Sequence, residues 1–443
     1  MVEFLRSDKF IASAAFALAL AIFLLSPVTQ MADSKYSLLV SEALISRQTF
    51  MLDGFDVGVD TSDLHFLGPP EYHLQNIGGH VYYAFPPGSS VLSTPFVAIA
   101  DLVGGSVAPA GIYSAFRETL LQRLLAAILM AALTVVAFLT ARLLLPRPMS
   151  LLITCAMALG TQVWSTASRG LWSDTWGVLL LSLAVWMILA SEVGKRSLSP
   201  VLLGTLLAWM YFCKPTYSIP IIGITIFVSL LDRRQALSLL TTGAVWLGAF
   251  VSYSWYNFHQ FLPDYYHVYW NITWDSFEMA LVGNLISPSR GLLVFVPTVL
   301  FIGYLLIKYW DRIASKRLVL ITVAVIVAHL LVVSTFQPWY GGHCYGPRYS
   351  TGIMPLFCLL GVSGTSAWRS TWNGRSAHKI EVISGSVLLV LAVLINGVGG
   401  IDKASWSWNS LPLNVDEHPE RVWDWRDAQF LVKYNRWRRL PDQ

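Results

Sequence analysis

Eleven apolar stretches alternate in this chain with short polar connections, and this alternation leaves little freedom for the fold. The stretches fall at 10–30, 118–141, 149–166, 174–192, 200–213, 216–231, 236–257, 291–309, 318–336, 350–367 and 381–400. A spanning helix needs roughly 20 mostly apolar residues. Of the 443 residues, 55% are apolar and 13% charged, against about a quarter charged in soluble domains. The expectation is an all-α polytopic membrane protein with about eleven transmembrane helices.

Cations alternate with the spans. With Arg6 and Lys9 in the cytoplasm, that side also holds Arg142, Arg147, Lys195, Arg196, Arg233, Arg234, Lys308, Arg312, Lys316, Arg317, Arg369, Arg375 and Lys379. The opposite short connections hold only Arg169, Lys214, Arg290 and Arg348. The positive-inside rule then puts the N-terminus inside and, after an odd number of spans, the C-terminus outside. Positive charge here is a topology signal, and the net +4 does not point to nucleic acid. Cys155, Cys213, Cys344 and Cys358 have no paired spacing, which argues against a disulfide framework or a zinc site. The first stretch reads as a retained signal anchor, since it is long for a signal peptide and lacks a clear cleavage site.

The expected organisation is a transmembrane domain over 1–400, with residues 31–117 as its first outer loop, and an outer Trp-rich tail over 401–443. The loop opens with a helical run from Tyr36 to Arg47, passes an Asp/Gly-rich stretch ending near Asp63, and reaches Tyr83-Ala84-Phe85-Pro86-Pro87-Gly88. Ser89 to Val103 is apolar but short, and is expected to lie at the interface. The tail, with Trp406, Trp408, Trp423, Trp425, Trp437, Arg436, Arg438 and Arg439, either anchors at the membrane surface or caps the outer face.

Two outward carboxylates stand where chemistry is possible. Asp33 follows the first span in Met31-Ala32-Asp33-Ser34-Lys35-Tyr36, and Asp174 opens the fourth, near Arg169. A partly desolvated carboxylate can take a proton from a hydroxyl nucleophile, while either residue can equally be a helix cap. With Lys35 and Arg169 beside them, the two carboxylates suggest a shared polar site for a hydroxylated substrate. Lys214, flanked by apolar sequence and followed by Pro215, is an expensive cation that tends to be paired, snorkelling or functional. Arg290 follows Ser287-Pro288-Ser289, and Arg348 ends the loop from Gln337 through Trp339, Tyr340, His343 and Cys344. Guanidinium groups fork onto phosphate oxygens, and Lys214, Arg290 and Arg348 together suit a phosphate or pyrophosphate, or else lipid headgroups. His343 reads as an acid, a ligand or a plain loop residue; a divalent metal is possible but has no ligand pattern.

This pattern resembles the GT-C superfamily of polyprenyl-phosphate-sugar-dependent glycosyltransferases, in particular the bacterial relatives of protein O-mannosyltransferases and the lipid A aminoarabinose transferase. Asp33 occupies the place of the family's acidic residue after the first span, Phe85-Pro86-Pro87-Gly88 matches a Pro-Pro element late in the first loop, and Lys214-Pro215 is similar to a Lys-containing span boundary. Ser34, Lys35 and Tyr36 follow Asp33, which leaves it the only carboxylate nearby. Phe85 stands where the lipid A enzymes have Lys, so the phosphate is assigned elsewhere.

The resemblance implies a bacterial inner-membrane enzyme with a periplasmic active site. A polyprenyl-phosphate sugar would be held by Lys214, Arg290 or Arg348, with Lys35, Tyr36, Arg169, Tyr340 and His343 as further binding residues. Asp33 or Asp174 would be the base for an acceptor hydroxyl on a glycan, lipid or protein, with inversion at the anomeric carbon. The alternatives are a transporter or flippase of a lipid-linked sugar, for which only the Lys214 break speaks, and an O-antigen ligase or polymerase.

Overall fold

The computed structural model describes residues 2–62, 64–267, 273–372 and 378–434. Asp63, Arg375, Arg436, Trp437, Arg438 and Arg439 lie outside the described residues, and of Arg6 only the backbone is described. Helix α1 (Val2–Leu25) stops two residues before Pro27, as expected where the ring of proline disfavours helix at the residue before it. The first loop supplies α2 (Ser37–Arg47), a hairpin of β1 (Leu74–Ile77) and β2 (His80–Tyr83), and α3 (Gly88–Leu102). The bundle continues with α4 (Ala115–Arg142), α5 (Arg147–Leu159), α6 (Ser173–Glu192), α7 (Pro200–Cys213), α8 (Ser218–Leu231) and α9 (Arg233–Phe258). After α10 (Phe277–Ile286) and α11 (Leu292–Phe295) come α12 (Thr298–Lys308), α13 (Lys316–Val333), α14 (Met354–Arg369), α15 (Lys379–Ile401) and α16 (Ala404–Ser407).

Helix starts follow the local chemistry. Ser199 and Asp232 accept backbone N–H groups at the heads of α7 and α9, and Pro200 sits in the first turn of α7, where its missing donor leaves nothing unsatisfied. Seven segments are long and apolar enough to cross a membrane: α1, α4, α6, α9, α13, α14 with its leading turn, and α15. The other four expected spans fall on shorter apolar helices, α5, α7, α8 and α12. Two of these are cut where the sequence reading ran on. Helix α5 gives way after Gly160 to a π turn over Val163–Ala167, and Pro297 separates α11 from α12. Helix α10, ten residues long, falls between the expected spans and was not foreseen.

Helices α4, α6 and α14 are enclosed on nearly all sides, whereas α1, α9 and α15 keep apolar faces outward, with Leu237, Val245, Val387 and Leu394 among the exposed residues. An apolar exterior around a buried helical core is the arrangement of an integral membrane protein. The strands make the fold not wholly helical. Their four-residue ladder pairs Leu74 with Tyr83 and Ile77 with His80 across Gly78-Gly79, both at positive φ, as a tight hairpin turn requires.

Candidate active site

Asp33 is positioned from α4. The first N–H groups of a helix have no partner within it. At α2 these are met by a side chain from another helix: the backbone N–H groups of Tyr36 and Leu38 donate to the Glu118 carboxylate at 2.9 and 2.8 Å. One turn along α4, the Gln122 amide donates to the Ser34 carbonyl at 2.7 Å, and its oxygen accepts the Ser34 hydroxyl at 2.8 Å. Glu118 and Gln122 are both buried. The residues just after Asp33 are thus fastened on both sides of the backbone. From the hairpin, the Tyr83 hydroxyl donates to the Asp33 carbonyl and a His73 ring nitrogen meets the Ala32 carbonyl at 2.8 Å.

The Asp33 carboxylate forms an ion pair with Arg348, which opens a 3₁₀ turn over Arg348–Ile353 ahead of α14. The guanidinium lies over the Trp172 ring, 4.1 Å from its centroid. Among the described residues its Nε is buried without a hydrogen-bond partner, as is the Trp172 indole N–H. An unmet buried donor costs about 1–3 kcal/mol, and a cation makes that figure larger. Aromatic rings enclose this place: Phe85 packs against Tyr83 and Tyr265 at 5.6 and 5.4 Å between centroids. Burial first, and then the Asp33 carboxylate, hold the Tyr83 and Tyr265 phenols well above their usual range, so both remain donors.

A second ion pair stands near Tyr349, the residue after Arg348. Pro215 forbids α7 to continue, Lys214 becomes extended, and its ammonium reaches Asp174 in the first turn of α6 at 2.6 Å. Their side chains are 7% and 4% exposed. The ammonium is 5.9 Å from the Tyr349 ring centroid. Gly88 sets the approach of the first loop to this place, because a Cβ there would fall 2.4–2.5 Å from backbone atoms of Phe212 and Cys213. The turn Phe85-Pro86-Pro87-Gly88 therefore seats α3 directly on the end of α7, one residue before Lys214.

Other expected residues are placed differently. Arg290 is spent on the protein itself: it donates to the carbonyls of Tyr340 (2.8 Å), Ser289 (2.8 Å) and Gly342 (3.2 Å), to Gln429 (2.6 Å) and to Asn409 (2.9 Å). Tyr340 donates to Asp416 at 3.3 Å and His343 faces Asn414 at 2.9 Å. These three belong to the seam between the late loop and the tail, with the Ser287 hydroxyl donating to the Val422 carbonyl. The tail packs here through buried Trp408 and Val422. Arg169 is buried and donates to the Phe23 carbonyl at 2.8 Å, closing the last turn of α1, rather than meeting Asp174.

Asp33 is not the only carboxylate nearby, as the sequence reading had it. Glu71, from Pro69-Pro70-Glu71-Tyr72-His73, pairs with Lys35 and His73, and the Tyr36 hydroxyl donates to it at 3.3 Å. Burial works against charge on both Lys35 and Glu71. Their mutual hydrogen bond, with others from Tyr36 and His73, outweighs it, holding Lys35 above and Glu71 below the usual range. Sequence reasoning passed over Glu71, His73 and Glu118. A carboxylate at the head of an apolar span is expensive enough to mark Glu118, whereas Glu71 lies in a loop with no pattern to single it out. Among the described residues no group of three or more His, Cys, Asp or Glu side chains is arranged to hold a metal ion.

No protein-family model matches the chain, and no curated protein sequence does. Solved structures do. The apo oligosaccharyltransferase of Archaeoglobus fulgidus matches with a TM-score of 0.50 at 11% identity, over 96% of this chain and 64% of that one. ArnT from Cupriavidus metallidurans matches with a TM-score of 0.49 in its complex with undecaprenyl phosphate (13% identity, 98% of this chain, 73% of that one) and in its apo state (14%, 97% and 73%). At such identities the likeness concerns the fold, and the archaeal structure carries it. The chain has a GT-C-type fold, a polytopic helical membrane bundle with structured elements in its first loop.

Proposed function

We propose that this protein is a membrane glycosyltransferase that moves a sugar from a polyprenyl phosphate to an acceptor hydroxyl, with inversion. The observation that carries the reading is Arg348, which holds the Asp33 carboxylate while keeping a buried N–H with no partner among the described residues. A phosphate oxygen would satisfy that donor, and Lys214, whose ammonium is 5.9 Å from the Tyr349 ring centroid, would add charge. Asp33 accepts the proton of the acceptor hydroxyl as its oxygen attacks the anomeric carbon. The bond from that carbon to the phosphate oxygen breaks, and its electron pair stays on the lipid phosphate. Attack opposite the leaving group inverts the centre. Cations beside the departing oxygen act on charge that grows in the transition state. The GT-C-type fold supports the reading, and the alternation of cations supports an outward-facing site in a bacterial inner membrane, with residues 31–117 and the tail beyond 400 on the outer side.

The test supplies purified protein with labelled polyprenyl-phosphate sugars and measures release of the lipid phosphate. Asp33→Asn keeps the size but cannot take a proton, so transfer is expected to fall by about 10² to 10⁴ with donor binding retained. Unchanged transfer removes Asp33 from the mechanism. Donor binding without any release of lipid phosphate in the native protein favours a transporter.

A further inference from the structure

A groove of about 600 Å³ runs along the bundle between α5, α12, α14 and α15. Its walls are nearly all hydrocarbon, from residues such as Met149, Ala156, Phe301, Phe357, Gly361 and Leu389. The lining on α14 extends from Met354 to Trp368 and Arg369, nearly the whole helix, and on α5 from Pro148 to Met157. At 1.5 Å per residue, this is the length of a lipid chain, not of a compact ligand.

The two ends of the groove differ. At the end nearer Asp33, α5 and α15 touch, since a Cβ on Gly160 would lie 3.3 Å from that of Ala392, and Ser165 donates to Asn396 at 2.8 Å. At the opposite end the wall ends in Trp368 and Trp372, whose rings are 5.1 Å apart, with the exposed Arg369 between them in sequence. Among the described residues lining the groove the one carboxylate, Glu381, is taken by Lys308 at 2.6 Å and by Tyr304 and Tyr309. Arg369 has no ion pair among the described residues. Aromatic pairs mark the depth of lipid headgroups, and this end carries the chain's Lys and Arg excess, which faces anionic lipid.

We infer that this groove is a binding site for an anionic diacyl phospholipid, one acyl chain lying between α5 and α15 with the headgroup phosphate on Arg369. Neither Asp33 nor Arg348 lines the groove, and its headgroup end stands at the other end of the bundle, so the site holds whether or not the catalytic reading does. A zwitterionic lipid offers the same chain but no net charge to reward Arg369.

The test is native mass spectrometry of the purified full chain after exchange into detergent with equal phosphatidylglycerol and phosphatidylcholine. One phosphatidylglycerol is expected to persist per chain. Gly361→Leu and Ala156→Phe, each filling the groove from a different wall, should abolish that retained lipid while leaving Asp33-dependent transfer in place. Arg369→Gln should keep a lipid but lower the preference for phosphatidylglycerol about fivefold. Equal retention in both filled variants overturns the site, as does undecaprenyl phosphate displacing the phospholipid. An unchanged preference in Arg369→Gln, which removes no buried group, overturns the assignment of the headgroup even where the filled variants fail to fold.

Discussion

The Lys214–Asp174 pair allows folding and function to be separated. Both side chains are under a tenth exposed and 2.6 Å apart, so Lys214→Met leaves a carboxylate buried with no counter-charge. Breaking such a pair typically costs about 3–5 kcal/mol. The single variant should therefore lose about 3–5 kcal/mol. Lys214→Met with Asp174→Asn, which removes both charges, should recover most of the loss. The assay is denaturant-titrated unfolding of the purified protein in micelles, with donor binding measured alongside. The double variant should fold yet bind the polyprenyl-phosphate donor more weakly, by roughly the 1.5–3 kcal/mol of a charged hydrogen bond. A loss below about 1 kcal/mol in the single variant, or a double variant no more stable than the single, refutes the buried-pair argument. Full donor affinity in the double variant refutes the phosphate role of Lys214.

Three further outcomes are expected. Burial and the neighbouring Glu42 push the Asp101 carboxyl up to about 6; the docking of α3 on α2 that it supports is fully present below the ordinary value of 3.8 and is lost as pH rises through about 6, so proteolysis after α3 should increase between pH 5 and 7.5, but not in Asp101→Asn. Gly88→Ala pushes a methyl into the Phe212 and Cys213 backbone, costing about 1–3 kcal/mol and weakening donor binding through the displaced Lys214, whereas Gly243→Ala, in open space, should do neither. Ser62→Cys and Ser410→Cys should react with a membrane-impermeant maleimide applied from outside and Ala314→Cys should not; the reverse pattern inverts the orientation.

The bundle was legible because hydrophobic length reports on one helix at a time. Asp33 and Lys214 stand out as candidates for a related reason, since a charge at a span boundary is locally conspicuous. Partners were not legible. Nothing near Asp33 in sequence indicates Arg348, 315 positions away, and nothing near Arg290 indicates that Gln429 and Asn409 will consume its donors. A free and a satisfied guanidinium look identical in sequence, because satisfaction is decided by which loops meet. The breaks at Gly160 and Pro297 were readable in principle, but apolar length overrode them in the span assignment.

The seam around Arg290 imposes an order on synthesis. Its guanidinium is made well before Asn409 and Gln429, which accept two of its hydrogen bonds, and before Val422, whose carbonyl receives Ser287. Until those residues emerge, the turn before α11 carries an unsatisfied cation that water or lipid headgroups must solvate, and it cannot become buried. The helices can insert one after another from the N-terminus, but this side of the bundle closes only when the last turns of the tail arrive, so a chain stopped near residue 405 should hold its spans and still lack the closed seam around Arg290.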